Sequence, residues 1–194
     1  MSDLTITEAG VTVTPKSPGS VISTGKRKVI RVTPTCTTSA LGTAYDVIFN
    51  GAEIPNAVRE EGGCSKLIKA YVIDYTGALN DLHVVFHETS GIDIGPTNSS
   101  ATANISDANL RLLKVTGMMQ LDADNSETDL GGANIHSFLG HSLTSTTTSD
   151  SPIMLFPQLL QAASGKTSTY SSAMTGTAET FAADSLEFIF HIEY

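Results

Sequence analysis

The sequence predicts an all-β protein built as an antiparallel β-sandwich, with a jelly roll as one arrangement open to it. Three observations carry that expectation. The run 82–88 alternates, with Leu82, Val84 and Phe86 on one side and His83, Val85 and His87 on the other, which is the period of a strand with one face on a core. The C-terminal run 185–194 repeats the pattern, with Leu186, Phe188, Phe190 and Ile192 against Glu187, Ile189, His191 and Glu193. Finally, Ser and Thr make up 46 of the 194 residues. Both compete for backbone hydrogen bonds in helices, and Thr suits a pleated sheet.

Taken in order, residues 1–27 read as an N-terminal arm and 28–194 as a single sandwich domain. In the arm, Leu4, Ile6, Val11 and Val13 alternate with polar residues, and Pro15, Pro18, Gly19 and Gly25 interrupt. Such a segment has strand propensity but too little apolar surface to close a core. It fits either a first edge strand or a strand laid on a neighbouring chain, which makes these four residues the candidate partner-binding set. Residues 28–33 form a strand ended by Pro34. Residues 45–49 form another, expected to stop at the turn dipeptide Asn50-Gly51. The runs 65–75 and 82–88, joined by the six residues 76–81 with Gly77 and Asn80-Asp81, read as a hairpin.

Residues 91–100 read as a polar loop. Ser106-Asp107 is a helix start, giving one short helix near 106–113 with Leu110 and Leu113 facing in. Strand character resumes over 114–121. An acidic loop over 122–129, a Gly131-Gly132 turn and a strand over 133–138 follow. The Ser/Thr-rich stretch 143–151 reads as a loop, and 153–156 and 167–174 as strands. The C-terminal strand, ending on the last residue, is expected inside a sheet rather than at its margin.

Composition narrows function. The net charge is −9, the only basic cluster is Lys26-Arg27-Lys28 with Arg31, and duplex binding needs cations to replace counterions. No nucleic-acid partner is expected. No apolar run approaches the ~20 residues of a membrane span, and no secretory leader is visible at 1–5. Charged residues are only 16% of the chain, so hydroxyls and small side chains must cover much of the surface. Cys36 and Cys64 lack any metal or redox spacing and are expected as free thiols, at least one of them buried.

The chemistry-bearing motifs are incomplete. Gly165-Lys166-Thr167 ends like a phosphate loop, but Leu160 stands where the first glycine belongs and a strand follows. Asp122, Asp124, Ser126 and Asp129 suggest a calcium loop, yet Glu127 and Ala133 occupy its glycine and glutamate positions. His83 and His87 share a strand face about 13 Å apart, too far to share one metal, and are expected on the outer polar face. No Ser/His/Asp set stands out. The chain is therefore expected to have no catalytic, metal or cofactor site.

A resemblance adds to this reading. Val29-Ile30-Arg31-Val32-Thr33-Pro34, then Ala44-Tyr45-Asp46-Val47-Ile48-Phe49 and Glu53-Ile54-Pro55-Asn56-Ala57-Val58, resemble a pattern of structural proteins of tailed bacteriophages. Gly62-Gly63, Ile105-Ser106-Asp107-Ala108 and Ala182-Ala183-Asp184-Ser185-Leu186 continue it in order. The glycine the pattern places before Asp46 is missing, and residues 1–28 match nothing in it. The resemblance implies a virion protein made in the host cytoplasm, of the capsid decoration (cement) type. Its partners would be the major capsid protein and copies of itself, commonly as a trimer. A head-fibre base or tail component is the alternative. A carbohydrate-binding sandwich is a further one, disfavoured by the absence of Trp.

Overall fold

The computed structural model describes residues 6–8, 11–13, 26–77, 81–121, 127–129, 131–138 and 158–194. Its strands are β1 (Ile6–Glu8), β2 (Val11–Val13), β3 (Arg27–Val32), β4 (Val47–Ile54), β5 (Cys64–Asp74), β6 (Leu82–His87), β7 (Val115–Leu121), β8 (Glu127–Asp129), β9 (Asn134–Phe138), β10 (Gln158–Gln161), β11 (Thr169–Thr175) and β12 (Leu186–Glu193). Two short helices, α1 (Ala101–Asn104) and α2 (Asp107–Leu113), lie between β6 and β7.

Apart from the β1–β2 pair, the strands form two sheets. Sheet 1 has the order β3-β12-β5-β9-β8, with β10 also beside β5, and sheet 2 the order β4-β11-β6-β7. The pairing is nested: β3 with β12, β4 with β11, β5 with β10 and β6 with β7, all antiparallel. A long hairpin folded over on itself gives this order, which is the topology of a jelly roll. The fold is thus the expected all-β sandwich.

The nesting corrects the expected hairpin. β5 and β6 do not pair; they belong to opposite sheets. A tight two-residue turn would have returned β6 alongside β5. The longer link instead turns away: the Asp74 carboxylate accepts from Thr76 N and Thr76 Oγ1 at 2.9 and 2.8 Å, and Gly77 has φ +66°. The alternation of β6 is the same in either arrangement, because the inner face of either sheet produces it.

The core lies between the sheets. Leu82, Val84, Phe86, Leu186, Phe188 and Phe190 are all at most 1% exposed, as expected. Phe49 and Phe86 of sheet 2 meet Phe188 and Phe190 of sheet 1 edge to face, at 5.6 and 5.8 Å between centroids. That geometry favours the electropositive ring edge over the electronegative face. β12 sits between β3 and β5, so the C-terminal strand is interior as expected.

Asn50-Gly51 does not end β4. The two residues stand opposite Ser172 alone, since Phe49 pairs with Ala173 and Ala52 with Ser171. This is a bulge with glycine at φ +56°, the second use of the conformation that makes Asn-Gly a turn signal. The Asn50 side chain then reaches outward. Its Nδ2 donates to Gly95 O at 2.9 Å and its Oδ1 accepts from Ile94 N at 3.0 Å.

Those bonds hold the 88–114 segment over the outer side of sheet 2. There Val47, Ile94, Ala101 and Leu113 form a second buried cluster, with Ile92, Ile105 and Met174 packed on it. α2 starts as expected, with Ser106 Oγ accepting from Asn109 N at 3.1 Å. Lys114 at φ +53° ends it. Leu113 is buried but Leu110 is 48% exposed, against expectation. The second cluster is small, and it engages only the last turn of the helix. α1 lies just beyond the expected 91–100 loop and was not anticipated. The expected strand at 153–156, the 143–151 loop and residues 122–126 lie outside the described residues. Glu127–Asp129, read as loop, is strand β8.

Candidate functional site

Of the four partner-binding candidates, Leu4 lies outside the described residues. Ile6, Val11 and Val13 belong to β1 and β2, which pair with each other in the register Ile6↔Val13, Thr7↔Thr12, Glu8↔Val11. Positions 6, 8, 11 and 13 therefore share one face of the ribbon and the two threonines the other. Among the described residues neither strand pairs with either sheet.

The nearest approach to catalytic geometry joins β6 to β11. His87 Nε2 lies 3.0 Å from Ser172 Oγ, and His87 Nδ1 lies 2.9 Å from the Thr89 carbonyl. The carbonyl can only accept, so Nδ1 carries the proton and Nε2 accepts from the Ser172 hydroxyl. A serine whose proton points at an oriented histidine is the arrangement that activates a nucleophile. Here, however, both residues are fully buried, and Ser172 Oγ also accepts from Gly51 N at 2.9 Å. The arrangement ties the β4 bulge through β11 to the turn after β6. Tyr170 stacks on the imidazole at 6.1 Å. This corrects the outer-face expectation for His87: the 88–114 segment roofs that side of the sheet. Burial pushes the His87 pKa down from its ordinary value, against its bond to Thr89.

The other histidines scatter. His83 lies beside Tyr45 at 5.3 Å and His191 edge-on to Tyr71 at 5.5 Å, His136 is buried, and His141 is outside the described residues. Among the described residues no three His, Cys, Asp or Glu side chains come together as a metal set. Lys166 N donates to Ala163 O, Gly62 N donates to Lys166 O, and Gly165 has φ +72°. Gly165-Lys166-Thr167 is thus a turn leading into β11, as expected. Cys36 and Cys64 are both free, the first buried and the second exposed. Burial pushes the Cys36 thiol up to about 12, where it is a small apolar side chain rather than a nucleophile.

One polar constellation was missed in the sequence. On the outer side of sheet 1, Glu187 accepts from Arg31 at 2.8 Å and from the Tyr75 hydroxyl at 2.7 Å. These bonds, the guanidinium first, hold its carboxyl below the usual carboxylate range. Arg27 pairs with Glu193 at 3.2 Å, two rows beyond Arg31 along β3. The residues are up to 166 apart in sequence, and the registers of β3 and β5 on β12 bring them together.

Comparison with protein-family models, with curated proteins and with solved structures finds no match to this chain.

Proposed function

We propose that this chain is a structural virion protein, a capsid decoration protein that binds and stabilises the outer face of a tailed-phage head. It acts there as a homo-oligomer, most simply a trimer, with the N-terminal arm, residues 1–27, contributing to attachment. The observation that carries this reading is the self-paired β1–β2 ribbon, which among the described residues bonds to neither sheet. Among the described residues its outer main-chain edges make no ladder bonds, and such edges can add to a strand of a neighbour. Burying Leu4, Ile6, Val11 and Val13 there would contribute about 6–10 kcal/mol before ordering costs. A low charge density, 16%, and a jelly-roll body suit a part packed beside other subunits, and jelly rolls are common in viral shells.

The test is co-sedimentation with purified shells of the phage that encodes the chain. A variant beginning at Lys26 keeps the bond from Tyr194 N to Lys26 O and all of β3. It should fold and lose most shell binding. Equal binding by this variant would remove the ribbon from the reading, and absence of binding by the full chain would remove the decoration role itself.

A further inference from the structure

The segment 88–114, which covers the outer side of sheet 2, is held at two places. At the first, Asn98 N donates to Val47 O at 2.9 Å, Val47 N to Ser99 O at 3.0 Å and Ala101 N to Tyr45 O at 2.8 Å. These are main-chain bonds and do not titrate. At the second, a chain of bonds runs through one imidazole. Gly51 N donates to Ser172 Oγ, and the Ser172 hydroxyl donates to His87 Nε2. His87 Nδ1 donates to Thr89 O, and Thr89 Oγ1 donates at 2.7 Å to Leu112 O in the last turn of α2. His87 thus joins the β4 bulge to both ends of the segment. Asn50, which holds Ile94 and Gly95, belongs to the same bulge.

The chain of bonds holds only while Nε2 accepts. A proton there makes it a donor, facing a hydroxyl that was donating to it. Among the described residues Ser172 Oγ bonds only to Gly51 N and His87 Nε2, so its proton has no second acceptor. The charge would also be fully buried, and no carboxylate bonds to the ring. Tyr170 of β11 stacks on it. Glu53 of β4, opposite Tyr170, accepts from Ser168 at 2.6 Å, and Asp46, ahead of β4, from Gly42 and Thr43. Glu88 and Lys114 pair with each other at 3.5 Å. Val115 of β7, opposite His87, is uncharged. Asp93 and Arg111 on the segment are exposed. His83, two residues along the same face of β6, lies beside Tyr45. An unpaired buried charge costs more than local opening to water, which hydrates it.

We infer that His87 is an acid-sensitive latch, whose protonation frees residues 88–95 and the end of α2 from sheet 2 while the bonds of 97–101 act as the hinge and the core between the sheets stays closed. Opening uncovers part of the apolar cluster of Val47, Ile94, Leu113 and Met174, surface that is hidden at neutral pH. The closed form resists the proton, because burial lowers the pKa of His87 from 6.5, and the open form takes it up near that ordinary value. Opening is therefore independent of pH above 6.5. It grows by up to about tenfold per pH unit as the pH falls below 6.5, until the lowered value of the closed form is reached. The latch is independent of the virion role.

The experiment is residue-resolved amide exchange of the full chain by NMR between pH 7 and 5, corrected for the intrinsic pH dependence of exchange. The amides of Gly51, Glu88 and Ile94, whose acceptors are Ser172 Oγ, Lys114 O and Asn50 Oδ1, should lose protection as the pH falls. Those of Asn98 and Ala101 at the hinge, and of β5 and β12, should keep it. His87→Gln, which cannot titrate, should remove the pH dependence, and His83→Gln should leave it in place. Where His87→Gln is already open at pH 7, the wild type decides: the ring-nitrogen shifts of His87 should titrate with the same midpoint as the loss of protection. Protection lost everywhere at once, or nowhere, overturns the inference. So does acid opening that persists in His87→Gln, or a His87 titration out of step with opening.

Discussion

The outer sides of the two sheets solve the same problem differently. Sheet 2 turns Val47 and Met174 outward, and the chain spends 88–114 covering them with Ile94, Ala101 and Leu113. Sheet 1 turns out Glu187, Arg31 and Tyr75, bonded to one another, with Val29 and Tyr75 more than half exposed. The first side is closed by its own chain through apolar packing. The second is satisfied within the sheet by cross-strand ion pairs and shows no cover among the described residues. Surface that a chain has already buried is unavailable to a partner, while the cover itself leaves Leu110 and Leu112 exposed.

If that contrast holds, the largest effect comes from the layer the two sides share. Phe86→Ala or Phe188→Ala should destabilise the fold by about 3–5 kcal/mol, the range for buried aromatics, measured by urea unfolding. Removing the cover of sheet 2 comes next. Leu113→Ala should cost about 2–4 kcal/mol and raise hydrogen exchange in 91–113 while β5 and β12 stay protected. Uniform loss of protection would show that the cover and core form one unit. Asn50→Ala deletes both bonds to the segment and strands the Ile94 amide, a cost of about 1–3 kcal/mol.

The contrast extends to pH. Burial lowers the pKa of His87 below its unfolded value near 6.5, so the unfolded chain binds the proton more readily. The stability this gives is complete above pH 6.5 and is lost as pH falls through that value toward the folded one. Thermal unfolding should therefore weaken from pH 7 to 5, and His87→Gln should flatten part of the slope. Glu187 on the open side has its pKa lowered from 4.5. Its contribution is present above that value and disappears only on further acidification. Paired with the exposed, screened guanidinium of Arg31, it should have the smallest effect of the set: Glu187→Gln should scarcely move the melting temperature in high salt. A large shift would mean that the open side is held as firmly as the covered one.

What was legible in the sequence follows from the same layers. The inner faces of β6 and β12 advertise themselves, because a strand against a core must alternate. Their partners were not legible: both sheets face one core, so Leu82, Val84 and Phe86 look alike whether β6 pairs with β5 or with β11. β10 escaped notice because Gln158-Leu-Leu-Gln does not alternate, with Leu159 exposed and Leu160 buried. The His87–Ser172 bond spans 85 residues in a chain rich in serine, and only the strand register could have selected that pair. Ser106 as a helix cap was readable because capping is local. In the candidate partner-binding set, strand character at Ile6, Val11 and Val13 was legible, while the pairing of β1 with β2 across Ala9-Gly10 was not foreseen.

The proposal that the chain decorates a tailed-phage head is tested most directly by cryo-electron microscopy of such shells, imaged with and without the purified chain. The account predicts added density on the outer shell surface that fits the two-sheet body, repeated about a local symmetry axis. Shells that bind nothing, or added density that the two-sheet body does not fit, would contradict it.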